Sequence, residues 1–211
     1  MGFQIGNSGF MILGEFEIYM EINSGANLAQ KQYLEKPMTM VGNKTPEWNA
    51  NAYLNGDNKA LSHADFAGKW HMIYSYPFNF SGLCPTEIQG LENLLDDFKA
   101  EGVEVIGASA DSFLVHKKWF EDGETFSSPI THPIIADTSH AFCKAFDILR
   151  EDLGVAYRAM VLIDPEGTIR MHSVNDLAVS RSPEEMLRMT QAFVSGGPCP
   201  ANWKKGEEFA G

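Results

Sequence analysis

From Met38 onward, apolar stretches of strand length alternate with segments patterned as helices, and this alternation constrains the fold more than any other feature. Trp70 to Tyr76 is apolar and aromatic, as a buried strand should be. Glu87 to Ala100 places Ile88, Leu91, Leu94, Leu95 and Phe98 on one helical face. Val103–Ala110 reads as a strand and Ser112–Phe120 as a short helix. Pro133–Ala136 reads as a strand, and about Ser139–Phe146 as a helix. Tyr157–Asp164 and Thr168–Val174 read as strands around the turn Asp164-Pro165-Glu166-Gly167. Ser182-Pro183-Glu184-Glu185 opens a last helix with a capping hydroxyl, a proline in the first turn and acids facing the dipole. Such alternation implies an α/β layered fold with a mixed central sheet flanked by helices.

Cys84 sits where the strand ending at Tyr76 gives way to a helix. Pro85 suits the first helical turn, where its missing N–H costs nothing. A helix N-terminus offers a positive dipole end and unpaired N–H groups, which stabilise a thiolate. A free cysteine is more commonly one more small buried hydrophobe. The neighbours of Cys84 reverse that reading: Pro77 lies seven residues before it, Ser81 three before it, and Pro85-Thr86-Glu87 directly after it.

A chain of 211 residues is expected to form one main domain with a proper core. The net charge of −12 argues against nucleic acid or an anionic membrane as partner. Cys84, Cys143 and Cys199 are too few and scattered for a secreted disulfide framework, so a cytoplasmic protein is expected. No Cys-x-x-Cys is present, and His140 with Cys143 lacks a second ligand pair, so neither metal nor cofactor is expected. The apolar stretch Phe10–Ile22 is short, contains Glu15, Glu17 and Glu21, and follows no basic residue. It reads as neither a membrane span nor a signal peptide, and Phe16–Ile22 alternates as a strand would. Residues 1–37 are an extension of unassigned role. An ordered arm, a disordered tail and a true start at Met20, Met38 or Met40 are open alternatives.

The spacing of Pro77, Ser81 and Cys84 resembles the peroxidatic-cysteine motif of peroxiredoxins, Pro-x-x-x-Thr/Ser-x-x-Cys. The similarity runs from about residue 38 to 208 and points to the typical two-cysteine class. It implies a thioredoxin-like fold, with residues 38–195 as the peroxidase domain and 196–211 as a C-terminal segment. It also implies roles at each site residue. Cys84 would be the nucleophile, Pro77 its shield from water, and Ser81 a hydrogen-bond partner of peroxide and thiolate. Arg158, in Gly-Val-Ala-Tyr-Arg-Ala, would be the active-site guanidinium, charged at any relevant pH. Glu87 would orient it, and Arg181 would belong to the same network. Gly196-Gly197-Pro198-Cys199-Pro200-Ala201-Asn202-Trp203 resembles the segment bearing the resolving cysteine, which in the family pairs with Cys84 of a neighbouring protomer. Spacing alone leaves an intrachain bond equally open. Cys143, between Phe142 and Phe146, reads as a packing residue.

The activity so implied is thiol-dependent reduction of hydrogen peroxide and alkyl hydroperoxides. Cys84 would pass through a sulfenic acid and a disulfide recycled by thioredoxin or a flavoprotein disulfide reductase. A homodimer is expected, and decamers are its known extension in the family. The chain departs from the family pattern at Asn79, Gly82, Phe113 and Leu114, the last three near the surface between dimers. It also lacks the Gly-Gly-Leu-Gly segment and the Tyr-Phe helix of peroxide-sensitive members. The resolving loop is therefore expected to be lightly covered and the enzyme resistant to overoxidation. A general thiol–disulfide oxidoreductase and a holdase chaperone are the competing readings. The missing Cys-x-x-Cys counts against the first, and no residue pattern favours the second.

Overall fold

The computed structural model describes residues 39–211. The extension at 1–37, with its alternating run Phe16–Ile22, lies outside the described residues. The chain enters through a hairpin, β1 (Asn49–Leu54) and β2 (Asp57–Ser62), in which Ala52 faces Lys59. Asn55 and Gly56 turn it with φ of 52° and 86°, the left-handed pair that a two-residue type I′ turn requires. A 3₁₀ turn, His63–Phe66, leads to β3 (Trp70–Ser75).

The helix expected over Glu87–Ala100 is two helices, α1 (Cys84–Asn93) and α2 (Leu95–Ala100). Leu94 N donates to Leu91 O at 3.1 Å, a bond that tightens the turn and separates the two helices. The apolar spacing runs through this break unchanged, so periodicity does not reveal it. Then follow β4 (Val103–Ser109), α3 (Phe113–Phe120), β5 (Ile134–Ala136) and α4 (Ala141–Ala145). A two-stranded ladder, β6 (Leu149–Arg150) with β7 (Val155–Ala156), precedes β8 (Arg158–Ile163), β9 (Ile169–Asn175) and α5 (Pro183–Ser195). Ser112 caps α3 and Ser182 caps α5, each hydroxyl accepting a backbone N–H three residues on.

The main sheet has seven strands in the order β2-β1-β5-β4-β3-β8-β9. β3, β4 and β5 are parallel, and the outer pairings are antiparallel. Strand alternation gives the sheet two apolar faces. Met72, Tyr74 and Tyr76 join Ile88, Leu91, Phe98, Trp119 and Met186 on one, while Ile73, Ile106, Phe142, Phe146 and Val161 pack on the other. α1 and α5 come into contact through Gly90: a Cβ there would stand 2.6 Å from Pro183 Cγ. Among the described residues no helix is long and apolar enough to cross a membrane.

Candidate active site

β3 runs in parallel with β4, and a loop from Tyr76 to Leu83 carries the chain to α1. This loop is tied down rather than slack. Asn79 N donates to Asp111 Oδ2 at 3.0 Å, Tyr76 Oη donates to Asn79 Oδ1 at 3.0 Å, and Asn79 Nδ2 lies 3.0 Å from His116 Nδ1. The amide donor leaves Nδ1 as the acceptor, so His116 is the Nε2–H tautomer, and Nε2 reaches Ile135 O at 3.3 Å. Burial holds the His116 imidazole neutral, its pKa pushed down to about 4 against the pull of Asp111. Phe80 takes a left-handed φ of 55° and lays its exposed ring 5.7 Å from Trp119.

Cys84 is the first residue of α1 and is fully buried. Ser81 Oγ accepts the Cys84 N–H at 3.3 Å, which satisfies a first-turn amide and leaves the Ser81 hydroxyl proton free to donate elsewhere. Pro77, in the same loop, is buried. Glu87 follows one turn after Cys84 on the same face of α1. β8 lies antiparallel to β3 with Met160 opposite Tyr74, so Arg158, at its start, reaches the end of β3 from which the loop departs. Arg158 Nη1 donates to Cys84 Sγ at 3.5 Å and to Glu87 Oε2, and Nε donates to Leu177 O at 2.8 Å.

Arg181, in the loop before α5, takes the other side of Glu87. Its backbone N and Nε donate to Glu87 Oε1 at 2.7 and 2.9 Å. Nη2 donates to Ser75 O at 2.8 Å, and Nη1 to Ala159 O. One buried carboxylate thus stands between two guanidiniums, with side-chain exposures of 1% for Glu87, 2% for Arg158 and 7% for Arg181. Removing Glu87 from such a set leaves uncompensated buried charge, a change worth about 3–5 kcal/mol. The surplus positive charge in this group of three lies beside the Cys84 sulfur. The structure brings Ser81, Cys84, Glu87, Arg158 and Arg181 to one place, with Pro77 buried in the loop that leads to Cys84. The carbonyls of Ser75, Ala159 and Leu177 that hold the arginines leave no mark in the sequence, because a backbone acceptor has no residue type to read.

Cys199 lies elsewhere, half-buried in the irregular segment after α5. Its sulfur has only long contacts, 3.5 Å to Ser195 Oγ and 3.6 Å to Ala192 O. The light cover expected here is heavier in the structure. Trp203 is buried, its ring stacks 5.8 Å from Phe209, and Arg188 Nη1 donates to Trp203 O at 2.9 Å. A Cβ at Gly197 would stand 2.5 Å from the Phe209 ring, so this glycine makes the fold-back possible. Cys143 is fully buried in α4, where burial and the Asp137 carboxylate push its thiol well above the usual range. All three cysteines are free thiols. Among the described residues no group of three or more His, Cys, Asp or Glu stands together as a metal site would need.

The AhpC/TSA family model matches residues 41–172. Peroxiredoxin-2 of Cricetulus griseus is 37% identical over 174 residues, which cover 80% of this chain and 88% of that protein. Peroxiredoxin-1 of Gallus gallus is 37% identical over 175 residues, with the same coverage of 80% and 88%. Among solved structures, the reduced 2-Cys peroxiredoxin of Plasmodium vivax superposes with a TM-score of 0.75 at 35% identity, covering 81% of this chain and 92% of that one. Enterococcus faecalis AhpC superposes with a TM-score of 0.73 at 31% identity, covering 82% and 100%. The seven-stranded mixed sheet is accordingly thioredoxin-like. A family match over more than half the chain, with relatives this similar along most of their own length, carries the conclusion that this chain belongs to the AhpC/TSA family and is a thiol-dependent peroxidase of the peroxiredoxin type.

Proposed function

We propose that Cys84 is the peroxidatic nucleophile, and the observation that carries this is the Arg158 guanidinium, shared between Cys84 Sγ at 3.5 Å and the buried Glu87 carboxylate. The Cys84 thiolate attacks one peroxide oxygen, the O–O bond breaks, and hydroxide or alkoxide leaves while Cys84 becomes a sulfenic acid. Arg158 stabilises the negative charge as it moves from sulfur to the leaving oxygen, and Glu87 and Arg181 hold it in register. Ser81 has its hydroxyl proton available for the bound peroxide, and Pro77 keeps bulk water from the sulfur.

Cys199 then attacks the sulfenic sulfur, a disulfide forms and water leaves. Because Cys84 is fully buried at the start of α1, a protein thiol reaches it only after that first turn opens. The partner thiol comes from a second copy of the chain, so the working unit is a homodimer, with Phe113, Leu114 and Gly82 deciding whether dimers join into decamers. An external dithiol, thioredoxin or a flavoprotein disulfide reductase, restores both thiols in the cytoplasm. Residues 38–195 act as the peroxidase domain and 196–211 as the resolving segment. With no Gly-Gly-Leu-Gly segment or Tyr-Phe helix, resolution outpaces a second oxidation even though Phe209 covers the segment.

The test is turnover of hydrogen peroxide with a dithiol reductant. Cys84→Ser abolishes it, a loss of orders of magnitude, and Cys143→Ser leaves it nearly intact. A Cys84→Ser enzyme keeping about a tenth of the rate, a barrier change of only about 1.4 kcal/mol, would remove Cys84 from this role.

A further inference from the structure

One buried constellation has no part in peroxide reduction as described above. Tyr74 Oη lies 2.8 Å from His132 Nε2, and His132 Nδ1 lies 2.7 Å from Glu92 Oε2. Thr131 completes the carboxylate's partners, its N donating at 3.0 Å and its Oγ1 at 2.5 Å. The three groups come from β3, the loop before β5, and α1. Burial works against the Glu92 carboxylate, but the bonds from His132 and Thr131 hold it below its ordinary range. With Glu92 ionised, Nδ1 carries the proton and the Nε2 lone pair faces the phenol. Burial also pushes the Tyr74 phenol well above its ordinary range, so it cannot ionise by itself.

A phenol hydrogen-bonded to an imidazole that is backed by a carboxylate is the arrangement that allows an electron and a proton to leave together. The proton crosses one short hydrogen bond, and the new imidazolium is neutralised by the carboxylate behind it. Tyr74 is placed for this beside the sulfur. It packs in the same buried cluster as Cys84, and its ring lies 5.9 Å below the Arg181 guanidinium. A buried polar network that only filled space would be matched or bettered by apolar side chains of similar volume.

We propose that Tyr74, with His132 and Glu92, is a one-electron donor that returns an oxidised Cys84 sulfur to the thiolate when the site meets radicals derived from hydroperoxides. An alkoxyl radical takes one electron from the Cys84 thiolate and leaves as alkoxide, which makes a thiyl radical. Tyr74 then gives one electron to that sulfur, and its phenolic proton passes to His132 Nε2. The products are the Cys84 thiolate, a Tyr74 phenoxyl radical and a His132 imidazolium paired with Glu92. This rests on Cys84 being the reactive thiolate, and its readout is separate from peroxidase turnover.

The full-length reduced protein is illuminated in the near ultraviolet with di-tert-butyl peroxide, which gives tert-butoxyl radicals without a hydroperoxide for Cys84 to reduce, then frozen for electron paramagnetic resonance. The wild type shows a tyrosyl signal. Tyr74→Phe loses the signal and keeps its peroxide turnover, and Tyr53→Phe, at another buried tyrosine of the same cluster, keeps both. Cys84→Ser loses the signal, and His132→Leu, which leaves the phenol in place without its base, loses it as well. A signal that survives in Tyr74→Phe or in Cys84→Ser overturns the proposal. Loss of turnover in Tyr74→Phe overturns it too, because the phenol would then serve the two-electron reaction.

Discussion

The two cysteines to which the proposed chemistry gives roles sit in opposite kinds of environment. Cys84 is enclosed, and the groups beside it are held by charge-assisted hydrogen bonds between Glu87 and both arginines and by strand carbonyls on either side. Cys199 is half-exposed on irregular chain, with two long sulfur contacts and an aromatic fold-back for support. The first setting prepares charge before the substrate arrives, as transition-state stabilisation requires. The second, where the sulfur has only two long contacts, suits the capture of a distant sulfur that is proposed for it. The difference teaches that the proposed cycle would draw on two separate physical resources, rigidity at one sulfur and release at the other.

The sharpest way to break this contrast is to silence each sulfur's surroundings in turn. Cys199→Ser leaves one peroxide equivalent consumed per Cys84, stops the cycle after it, and removes the covalent dimer from a non-reducing gel. An oxidised monomer with an internal Cys84–Cys199 bond would show that the partner thiol is in the same chain. Arg158→Met acts before that point and slows the first consumption itself by about two to three orders of magnitude, as loss of a single oxyanion donor does. Rapid-mixing measurement of that first turnover separates the two variants. An unchanged first turnover in Arg158→Met would break the assignment of rigidity to the Cys84 side.

Acid offers a gentler probe. His116 has its pKa lowered to about 4 in the fold, against 6.5 ordinarily, because burial disfavours the cation. Between those values the unfolded chain binds the proton more readily, so stability rises with pH across this window. The contribution, about 3 kcal/mol by linkage, is complete above pH 6.5 and is lost as pH falls towards 4. Since His116 ties down Asn79 and the loop to Cys84, urea midpoints should drop over this range in the wild type and drop less in His116→Gln. Equal slopes would remove His116 from the account. The smallest effect is expected at Gly197→Ala, whose new methyl displaces the Phe209 ring. Alkylation of Cys199 should become faster by a few fold, about 1 kcal/mol of local opening, with alkylation of Cys84 unchanged.

Much of this was legible in the chain, and the exceptions share a cause. β3, β4, α3, β5, β8, β9 and α5 are written in local signals: alternation, caps, and the Pro and Gly of the β8–β9 turn. The hairpin β1–β2 has its turn signal in Asn55-Gly56, but the polar Asp57-Asn58-Lys59 that follow give its second strand no apolar alternation. The break at Leu94 left no mark because Leu91, Leu95 and Phe98 stay buried on either side of it. At the site, Pro77, Ser81, Cys84 and Glu87 are close in sequence, and the resemblance of their spacing to the family motif placed them together, as it did the distant Arg158 and Arg181. Tyr74, His132 and Glu92 belong to three separate elements and no short motif contains them, so only the packed fold reveals them. The cover over Cys199 has no local sequence signal because it depends on the absence of a side chain at Gly197.

Gly90 has no chemistry of its own, yet it sets the alignment on which the charges depend. With no side chain there, Pro183 rests on the helix that carries both Cys84 and Glu87. Two residues before that proline, Arg181 reaches the Glu87 carboxylate. The contact works as a hinge pin: it fixes the distance between a nucleophile's helix and the strap that carries the second guanidinium. Any larger residue at position 90 would prise the two apart and misalign the charge around Cys84 without touching a reacting atom.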